Sequence, residues 1–147
     1  MPDPADSNSE SHSDSHSESQ SEPLRVAVLG GGSWGTTLAH LAGLNGCETV
    51  LWVRRDEVVQ EINTENTNSR YLGDAKLSEN VRGTASLEEA IVGSSLVICG
   101  VPSSAIRTVA SDAAAFLTGD QVVLSATKGL EPESFRCMTD VLRAGTC

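Results

Sequence analysis

Aromatic and basic residues are both scarce in this chain of 147 residues. Phe, Trp and Tyr make up 3% of it, and ten Lys and Arg stand against twenty Asp and Glu, a formal net charge of −10. Because no basic stripe is available to neutralise phosphates, the composition argues against a nucleic-acid-binding protein. The longest apolar stretch, residues 96–101, is far shorter than the ~20 residues of a membrane-spanning helix. No apolar segment follows a basic start as in a secretory signal, so we expect no nucleic-acid partner and no membrane insertion.

Cysteine pairs at metal-binding spacing are absent as well. The four cysteines lie far apart in the sequence, which disfavours a zinc site and a disulfide framework and favours a reducing, cytoplasmic location. His12 and His16 stand on a Ser-rich segment, and two imidazoles on a flexible chain make a poor metal site. The sequence therefore predicts no bound metal.

The first 23 residues have a composition of their own. Ser occupies every odd position from 7 to 21, and the segment holds six acids and neither Lys nor Arg. Neither side of such an alternation is apolar, so no burial would offset the entropy lost on ordering. We predict a disordered tail at residues 1–23 and a folded domain at residues 24–147.

Short apolar runs alternate with helical patterns throughout the predicted domain. Continuously apolar strands joined by helices are typical of a parallel sheet buried on both faces. The predicted fold class is therefore α/β, with a doubly wound, mostly parallel sheet. The first predicted helix has an apolar side made of Leu38, Leu41, Ala42 and Leu44. The last predicted helix, residues 133–144, has one made of Phe135, Met138, Val141 and Leu142. The predicted strands are residues 24–29, 48–53, 81–84, 96–101 and 121–125.

A glycine motif, Gly30-x-Gly32-x-x-Gly35, directly follows the first predicted strand and opens the first predicted helix. The first glycine permits a tight turn, the second lets a pyrophosphate approach the backbone, and the third allows the helix to pack close to the strand. The N–H groups at the helix start, including those of Ser33 and Trp34, would then face the anion. The motif predicts a dinucleotide site, against the alternative of a glycine-rich turn without a ligand.

The end of the second predicted strand bears on the choice of cofactor. An acidic residue at this point would bind the ribose hydroxyl of NAD, but the chain has Arg54 and Arg55 there. A guanidinium suits a 2′-phosphate instead, so we favour NADP(H) over NAD(H). Asp56 follows directly and keeps NAD open, and the arginines could also be solvated loop charges.

Topology brings a third loop to the same place. In a doubly wound sheet, the loops after the first and fourth strands flank the crevice where the strand order reverses. The loop after the fifth strand, Thr127-Lys128-Gly129, lies beside them. Lys128 could hold a substrate phosphate or polarise a carbonyl, or it could be an ordinary exposed lysine.

Five motifs occur in a fixed order: Gly30-Gly-Gly-Ser-Trp-Gly-Thr-Thr-Leu-Ala39, Leu51-Trp-Val-Arg54, Asn68-x-x-Tyr71-Leu72, Val101-Pro102-Ser103 and Thr127-Lys128-Gly129-Leu130-Glu131. From residue 24 onward the chain resembles the N-terminal part of the NAD(P)-dependent glycerol-3-phosphate dehydrogenases. The resemblance implies a Rossmann-type cofactor domain and reversible reduction of dihydroxyacetone phosphate to sn-glycerol 3-phosphate, which feeds phospholipid synthesis. It also implies that Lys128 touches substrate and cofactor. The implied cofactor contacts are Ser33, Trp34, Arg54, Arg55 and Tyr71.

The chain departs from the family pattern in two places and in length. Gly73 stands where the family usually has Pro, and Ser78 where Leu-Pro often appears; both are expected to loosen this loop. The family is about twice as long and carries a C-terminal helical substrate domain with an acid/base lysine. We therefore expect this chain to be a fragment with an incomplete cofactor domain, inactive alone, while a homodimer of the full-length protein stays open.

Two other functions are compatible with the residues. The chain could be a non-catalytic dinucleotide-binding or redox-sensing module, although such a module needs no lysine at the nicotinamide end. It could also belong to another ketone or hydroxy-acid reductase with a similar first domain. Ser33-Trp34-Gly35 favours the glycerol phosphate family over this last alternative.

Overall fold

The computed structural model describes residues 22–146. The predicted tail therefore lies outside the described residues, except for its last two positions. The strands are β1 (Arg25–Leu29), β2 (Glu48–Trp52), β3 (Val81–Thr84), β4 (Leu96–Cys99) and β5 (Val122–Ser125). The helices are α1 (Ser33–Leu44), α2 (Asp56–Glu65), α3 (Ser69–Leu72), α4 (Leu87–Ile91), α5 (Ile106–Ala114) and α6 (Met138–Thr146), with a 3₁₀ turn at Ser103–Ala105.

All strand pairs of the sheet are parallel, and the order is β3-β2-β1-β4-β5. The chain winds outward from β1 to β3 and then returns to add β4 on the other side of β1. This order confirms the predicted doubly wound fold and puts the switch point between β1 and β4.

Both faces of the inner sheet are buried, because alternate residues of each strand enter different clusters. Ala27 and Leu29 of β1 pack into the cluster that includes α5 and α6, whereas Val26 and Val28 pack into the cluster beneath α1 and α2. A strand buried on both faces must be apolar at successive positions. This explains the continuous apolar runs in the sequence.

β5 departs from that expectation. Val122, Val123 and Leu124 are 63%, 37% and 47% exposed, so the prediction of burial on both faces is wrong for this strand. In the described part of the chain β5 pairs with β4 alone. An edge strand has one neighbour and correspondingly less cover.

The buried side of α1 also differs from the predicted one. Small residues, Gly35, Ala39 and Gly43, face the sheet at a spacing of four, and a Cβ on Gly35 would collide with the carbonyl oxygen of Gly30. Of the four residues predicted on the apolar side, Leu38 and Ala42 are partly buried against the core, whereas Leu41 and Leu44 are exposed. The helix lies too close to the sheet for large side chains between them.

The last helix begins later than predicted, at Met138. The preceding segment forms a turn in which Leu130 and Cys137 make an antiparallel bridge, and Phe135 has a φ of 54° and is 74% exposed. Phe135 is therefore not on the apolar side of α6, although Val141 is fully buried there. No helix between residues 22 and 146 has the length and apolar character needed to cross a membrane.

Candidate functional site

A cavity of about 690 Å³ opens at the carboxyl ends of the strands. Its walls come from the loops after β1, β2, β4 and β5, together with residues of α2 and α3. The structure thus brings together the loops that the sequence predicted to converge. Eight of the nine predicted site residues line the cavity: Gly30, Gly32, Ser33, Trp34, Arg54, Arg55, Tyr71 and Lys128.

The three motif glycines are glycine for different reasons. Gly30 has a φ of +120°, and a Cβ there would lie 2.9 Å from the carbonyl oxygen of Gly100. Gly35, the ninth predicted residue, lies behind the loop and packs against Gly30. Gly32 has an ordinary φ of −76°, and a Cβ at this position would have no atom within 4 Å of it. Protein packing therefore explains Gly30 and Gly35 but does not require glycine at position 32.

The start of α1 is open to an anion. Gly32 is the N-cap residue, and no side chain of residues 22–146 caps the helix. The first turn of α1 carries no acidic residue. The first N–H groups of a helix lack internal partners and form the positive end of its dipole. Without a carboxylate to satisfy them, these donors are available to a phosphate group.

Sequence reasoning missed two further glycines of this loop system. A Cβ on Gly31 would collide with Cγ1 of Val53, and one on Gly100 would lie 3.4 Å from Cα of Gly35. Gly31 therefore leaves room for the Val53 side chain after β2, and Gly100 lies against the backbone of α1. The only local signal at position 100 is a glycine directly after an apolar run.

Arg54 and Arg55 are exposed at the cavity edge beyond β2. Arg55 Nη1 lies 3.7 Å from Glu57 Oε1, an exposed pair that is worth little in water. Asp56 begins α2 and does not line the cavity. Guanidinium groups, rather than a carboxylate, therefore occupy this end of the site.

Tyr71 lines the cavity from the short helix α3, and Glu61 holds the start of that helix. Glu61 Oε1 accepts hydrogen bonds from the Ser69 N–H at 2.6 Å and from Thr67 Oγ1 at 2.9 Å. The bond from the Ser69 backbone is the main cause of the lowered pKa of Glu61.

The helix α3 ends at Gly73. The backbone there has a φ of 58° and a ψ of −135°, which no proline could adopt. The backbone conformation at the end of α3 therefore suits the glycine found here.

The other departure from the family pattern, Ser78, is tied to α1. Its N–H donates a hydrogen bond of 2.9 Å to His40 Nδ1. His40 is therefore an acceptor that anchors the loop before β3. It does not line the cavity.

Asn68, the first residue of the Asn68-x-x-Tyr71-Leu72 motif, is a positioning residue to which the sequence assigned no role. It is fully buried, and its Nδ2 donates to the carbonyl oxygen of Gly31 at 3.1 Å and to Thr36 Oγ1 at 2.9 Å. These bonds join the segment before α3 to the glycine loop, 37 positions earlier in the chain. The motif contains this asparagine, but only the tertiary contacts show its role.

Lys128 is exposed on the loop after β5, which is held to its neighbours by side chains. Thr127 Oγ1 donates to the carbonyl oxygen of Val101 at 2.9 Å, and Trp34 Nε1 donates to that of Ala126 at 3.0 Å. The Lys128 ammonium lies 4.8 Å from the centre of the Trp34 ring. Among residues 22–146, no carboxylate lies within 4.0 Å of Lys128 Nζ.

A buried acid fixes the chain just beyond this lysine. Arg107 donates to both carboxylate oxygens of Glu131 at 2.7 Å, and Ser134 Oγ donates to the same group. Arg107, followed by Ser134, lowers the pKa of Glu131 to about 2. This paired geometry ties α5 to the segment that follows Lys128.

The described residues offer neither a reactive thiol at Cys99 nor a metal site. Cys99 is buried at the end of β4, and burial raises the pKa of its thiol, so it is not a poised nucleophile. Within the described residues, no group of three His, Cys, Asp or Glu side chains could hold a metal ion.

A parallel sheet wound in two directions from β1, with a glycine loop leading into a helix at the switch point, defines a Rossmann-type α/β domain. Residues 25–146 match the family model described as the NAD-dependent glycerol-3-phosphate dehydrogenase N-terminus. The chain belongs to this family. The predicted family and fold class are both confirmed.

Individual relatives agree with this assignment. The chain is 42% identical over 120 residues to a glycerol-3-phosphate dehydrogenase [NAD(P)+] of Acinetobacter baumannii (strain SDF), an alignment that covers 82% of this chain and 33% of that protein. It is 43% identical over 117 residues to one from an Exiguobacterium species, with 80% and 34% coverage. The solved glycerol-3-phosphate dehydrogenase of Coxiella burnetii superposes with a TM-score of 0.78 at 28% identity, covering 84% of this chain and 38% of that one. The chain thus spans about a third of the length of the curated relatives it matches.

Proposed function

We propose that this chain is the cofactor-binding part of an NAD(P)-dependent glycerol-3-phosphate dehydrogenase, which interconverts dihydroxyacetone phosphate and sn-glycerol 3-phosphate. In the direction of reduction, C2 of the ketone gains a hydride and its oxygen gains a proton, while the reduced cofactor is oxidised. The observation that carries the proposal is Gly32, where a missing Cβ leaves space that the protein does not fill. A pyrophosphate at the start of α1 would use that space.

The residues around the cavity fit a dinucleotide in their chemistry. When bound, the nicotinamide supplies or accepts the hydride. The Gly30–Gly35 loop, with the N–H groups of Ser33 and Trp34, would hold the pyrophosphate. Tyr71 would contribute to the wall against the cofactor. Lys128 would contact the cofactor, and it would also hold the substrate phosphate or stabilise charge on the C2 oxygen.

The preference for NADP(H) over NAD(H) rests on Arg54 and Arg55. Both side chains lie at the cavity edge, where the ribose of the adenosine half would reach the end of β2. Arg55 is only loosely paired with Glu57. A 2′-phosphate would receive charge-assisted hydrogen bonds from these groups, whereas a free 2′-hydroxyl would find no acceptor in them.

The remaining expectations belong to the longer protein. We propose that residues 24–147 form an incomplete cofactor domain, that a helical substrate domain completes the enzyme, and that it acts on small phosphorylated substrates in the cytoplasm. A homodimer is compatible with this arrangement. A non-catalytic nucleotide-binding module is the second candidate, and the lysine with no carboxylate near it in the described part of the chain favours the enzyme.

Calorimetric titration with NADPH tests the binding proposal. Gly32→Val places a branched side chain in the open space, so we expect a folded protein that no longer binds NADPH. Ala115→Val is the matched control, because Ala115 is exposed at the end of α5 and lies outside the cavity. Unchanged affinity in a folded Gly32→Val protein would exclude this loop as the binding site.

A further inference from the structure

Trp34 makes two contacts with the loop that carries Lys128. Its Nε1–H donates to the carbonyl oxygen of Ala126 at 3.0 Å, and its ring lies 4.8 Å from the Lys128 ammonium. The two residues of the hydrogen bond are 92 positions apart in the chain. One side chain at the start of α1 therefore holds both the backbone and the cation of the loop after β5.

Without Trp34, the loop after β5 would have few contacts to fix the position of Lys128. It leaves β5, the exposed edge strand, and Gly129, directly after the lysine, has a φ of +91°. A lysine side chain has several freely rotating bonds and loses rotamer entropy when it is fixed. Thr127 ties the loop backbone to the end of β4 but leaves the Lys128 side chain free.

An aromatic partner suits a cation that must later meet an anion. A carboxylate beside Lys128 would neutralise its charge and compete with a substrate phosphate. The face of an indole attracts the ammonium through its quadrupole, without a negative charge that would repel the substrate. The ring can therefore orient the lysine while the full positive charge stays available on the cavity side.

We propose that Trp34 is a positioning residue for Lys128, holding the ammonium at the cavity before any ligand binds. This inference rests on the proposed function for the role of Lys128, but the contact itself does not depend on a cofactor. The substrate class that such a held cation favours is a phosphorylated ketone or alcohol. The proposal assigns Trp34 a task in the unliganded protein, in addition to any contact with the nucleotide.

The chain offers a direct spectroscopic test because it contains only two lysines, Lys76 and Lys128. Reductive methylation with ¹³C-formaldehyde labels both side chains and leaves them cationic, and Lys128→Arg assigns the signals. In the unmodified sequence we expect the Lys128 methyl resonance to be shifted upfield by the ring current of Trp34. Lys76, which donates to the carbonyl oxygen of Glu65 at 2.9 Å, is the internal reference.

Substitutions of Trp34 then distinguish the contribution of the aromatic ring from that of the Nε1–H hydrogen bond. Trp34→Leu should move the Lys128 signal to the position of an unshifted lysine and leave Lys76 unchanged. Trp34→Phe keeps a ring but loses the bond to Ala126, and it should retain part of the shift; it carries the test if Trp34→Leu does not fold. Tyr71→Leu removes another cavity aromatic, whose ring is paired with Arg70, and should leave the Lys128 signal in place. An unshifted Lys128 signal in the unsubstituted protein, or one that Trp34→Leu does not move, would overturn the proposal.

A binding cycle relates the contact to the proposed function. If Trp34 acts through Lys128, Trp34→Leu should raise the Kd for NADPH by a larger factor in the native background than in a Lys128→Met background. A cation–π contact predicts a ratio of about 2- to 30-fold between the two factors. Equal factors would mean that Trp34 acts on the cofactor alone and would refute positioning. No NADPH binding by the unsubstituted protein, together with the expected NMR shifts, would instead reject the proposed function and leave the Trp34–Lys128 contact established.

Discussion

The side-chain amide of Asn68 donates a hydrogen bond to the carbonyl oxygen of Gly31 and so connects the segment before α3 to the glycine loop. The same nitrogen donates to Thr36 Oγ1 in the first turn of α1. Within residues 22–146 the Oδ1 atom of Asn68 is buried and has no hydrogen-bond partner. The two donated bonds therefore carry the polar contribution of this residue.

Asn68→Ala should lower both stability and cofactor affinity. It removes the donor from the half-buried Gly31 carbonyl and from the buried Thr36 hydroxyl. An unsatisfied buried group costs about 1–3 kcal/mol, which urea denaturation would measure. Thr36→Val is the control, because it removes the other acceptor and keeps the bond to Gly31. We expect Thr36→Val to weaken NADPH binding much less than Asn68→Ala does. Equal losses of affinity would argue against a positioning role for the Gly31 bond.

The same substitution should lower stability much more at one motif glycine than at the other. Gly35→Ala forces a Cβ into the carbonyl oxygen of Gly30, and overpacking of this kind costs about 1–3 kcal/mol or more. Gly32→Ala meets no atom within 4 Å, so it should cost less than about 1 kcal/mol, the scale of an N-cap change. Thermal or urea unfolding measures both. Similar losses at the two positions would contradict the packing described for α1.

Replacing Arg54 and Arg55 together with Ala should weaken NADPH binding by ~1–3 kcal/mol, the scale of charge-assisted hydrogen bonds. NADH binding should change little, because NADH lacks the 2′-phosphate, and it provides the control within the same experiment. Added salt should narrow the difference between the two cofactors, since both arginines are exposed. Parallel losses for NADPH and NADH would show that the arginines do not recognise the 2′-phosphate.

The Arg107–Glu131 pair predicts a loss of stability in acid. The pKa of Glu131 is about 2 in the folded chain against an ordinary value of 4.5. Because the folded state favours the ionised carboxylate, Glu131 contributes its full stabilisation above pH 4.5. This stabilisation disappears as the pH falls toward 2 and the carboxylate is protonated in the folded state too. Arg107→Met should therefore lower the midpoint of urea unfolding at neutral pH. It should also make that midpoint depend less on pH between pH 2 and pH 4.5. Arg143 lies on the exposed side of α6, so Arg143→Met is the control and should leave the pH dependence of the midpoint unchanged. If Arg107→Met also left it unchanged, Arg107 would not be the cause of the lowered Glu131 pKa.

Dihydroxyacetone phosphate reduction should need more protein than these 147 residues. Hydride transfer requires a proton donor at the C2 oxygen and a substrate held at reacting distance from both sides, and the chain covers about a third of its relatives. We expect NADPH oxidation by this polypeptide to stay at the background rate, followed by absorbance. In a polypeptide extended by the remaining domain of a relative, Lys128→Ala should reduce turnover by orders of magnitude. Turnover by the short chain, or an unaffected extended Lys128→Ala variant, would contradict these roles.

Local patterns in the sequence predicted much of this architecture. Period and composition placed the strands, because a strand buried on both faces must be apolar at every position, and the glycine spacing identified the turn between β1 and α1. Strand order then followed from the general rules for alternating strands and helices. The sequence could point to five residues of the cavity because each follows closely after a predicted strand: Gly30, Gly32, Arg54, Arg55 and Lys128.

What the patterns missed depends on neighbours that are distant in the chain. The close approach of α1 to the sheet leaves room for Gly35 and Ala39 between them, and Leu41 and Leu44 are exposed although leucines give the stronger apolar signal. The late start of α6 follows a turn that the bond from Arg107 to Glu131, 24 positions away, helps to fix. The contacts of Asn68 with Gly31 and of Trp34 with Ala126 likewise join segments that meet only once the sheet has formed. Sequence periodicity reports the average environment of a segment, whereas these contacts depend on which individual atoms packing brings within hydrogen-bonding distance.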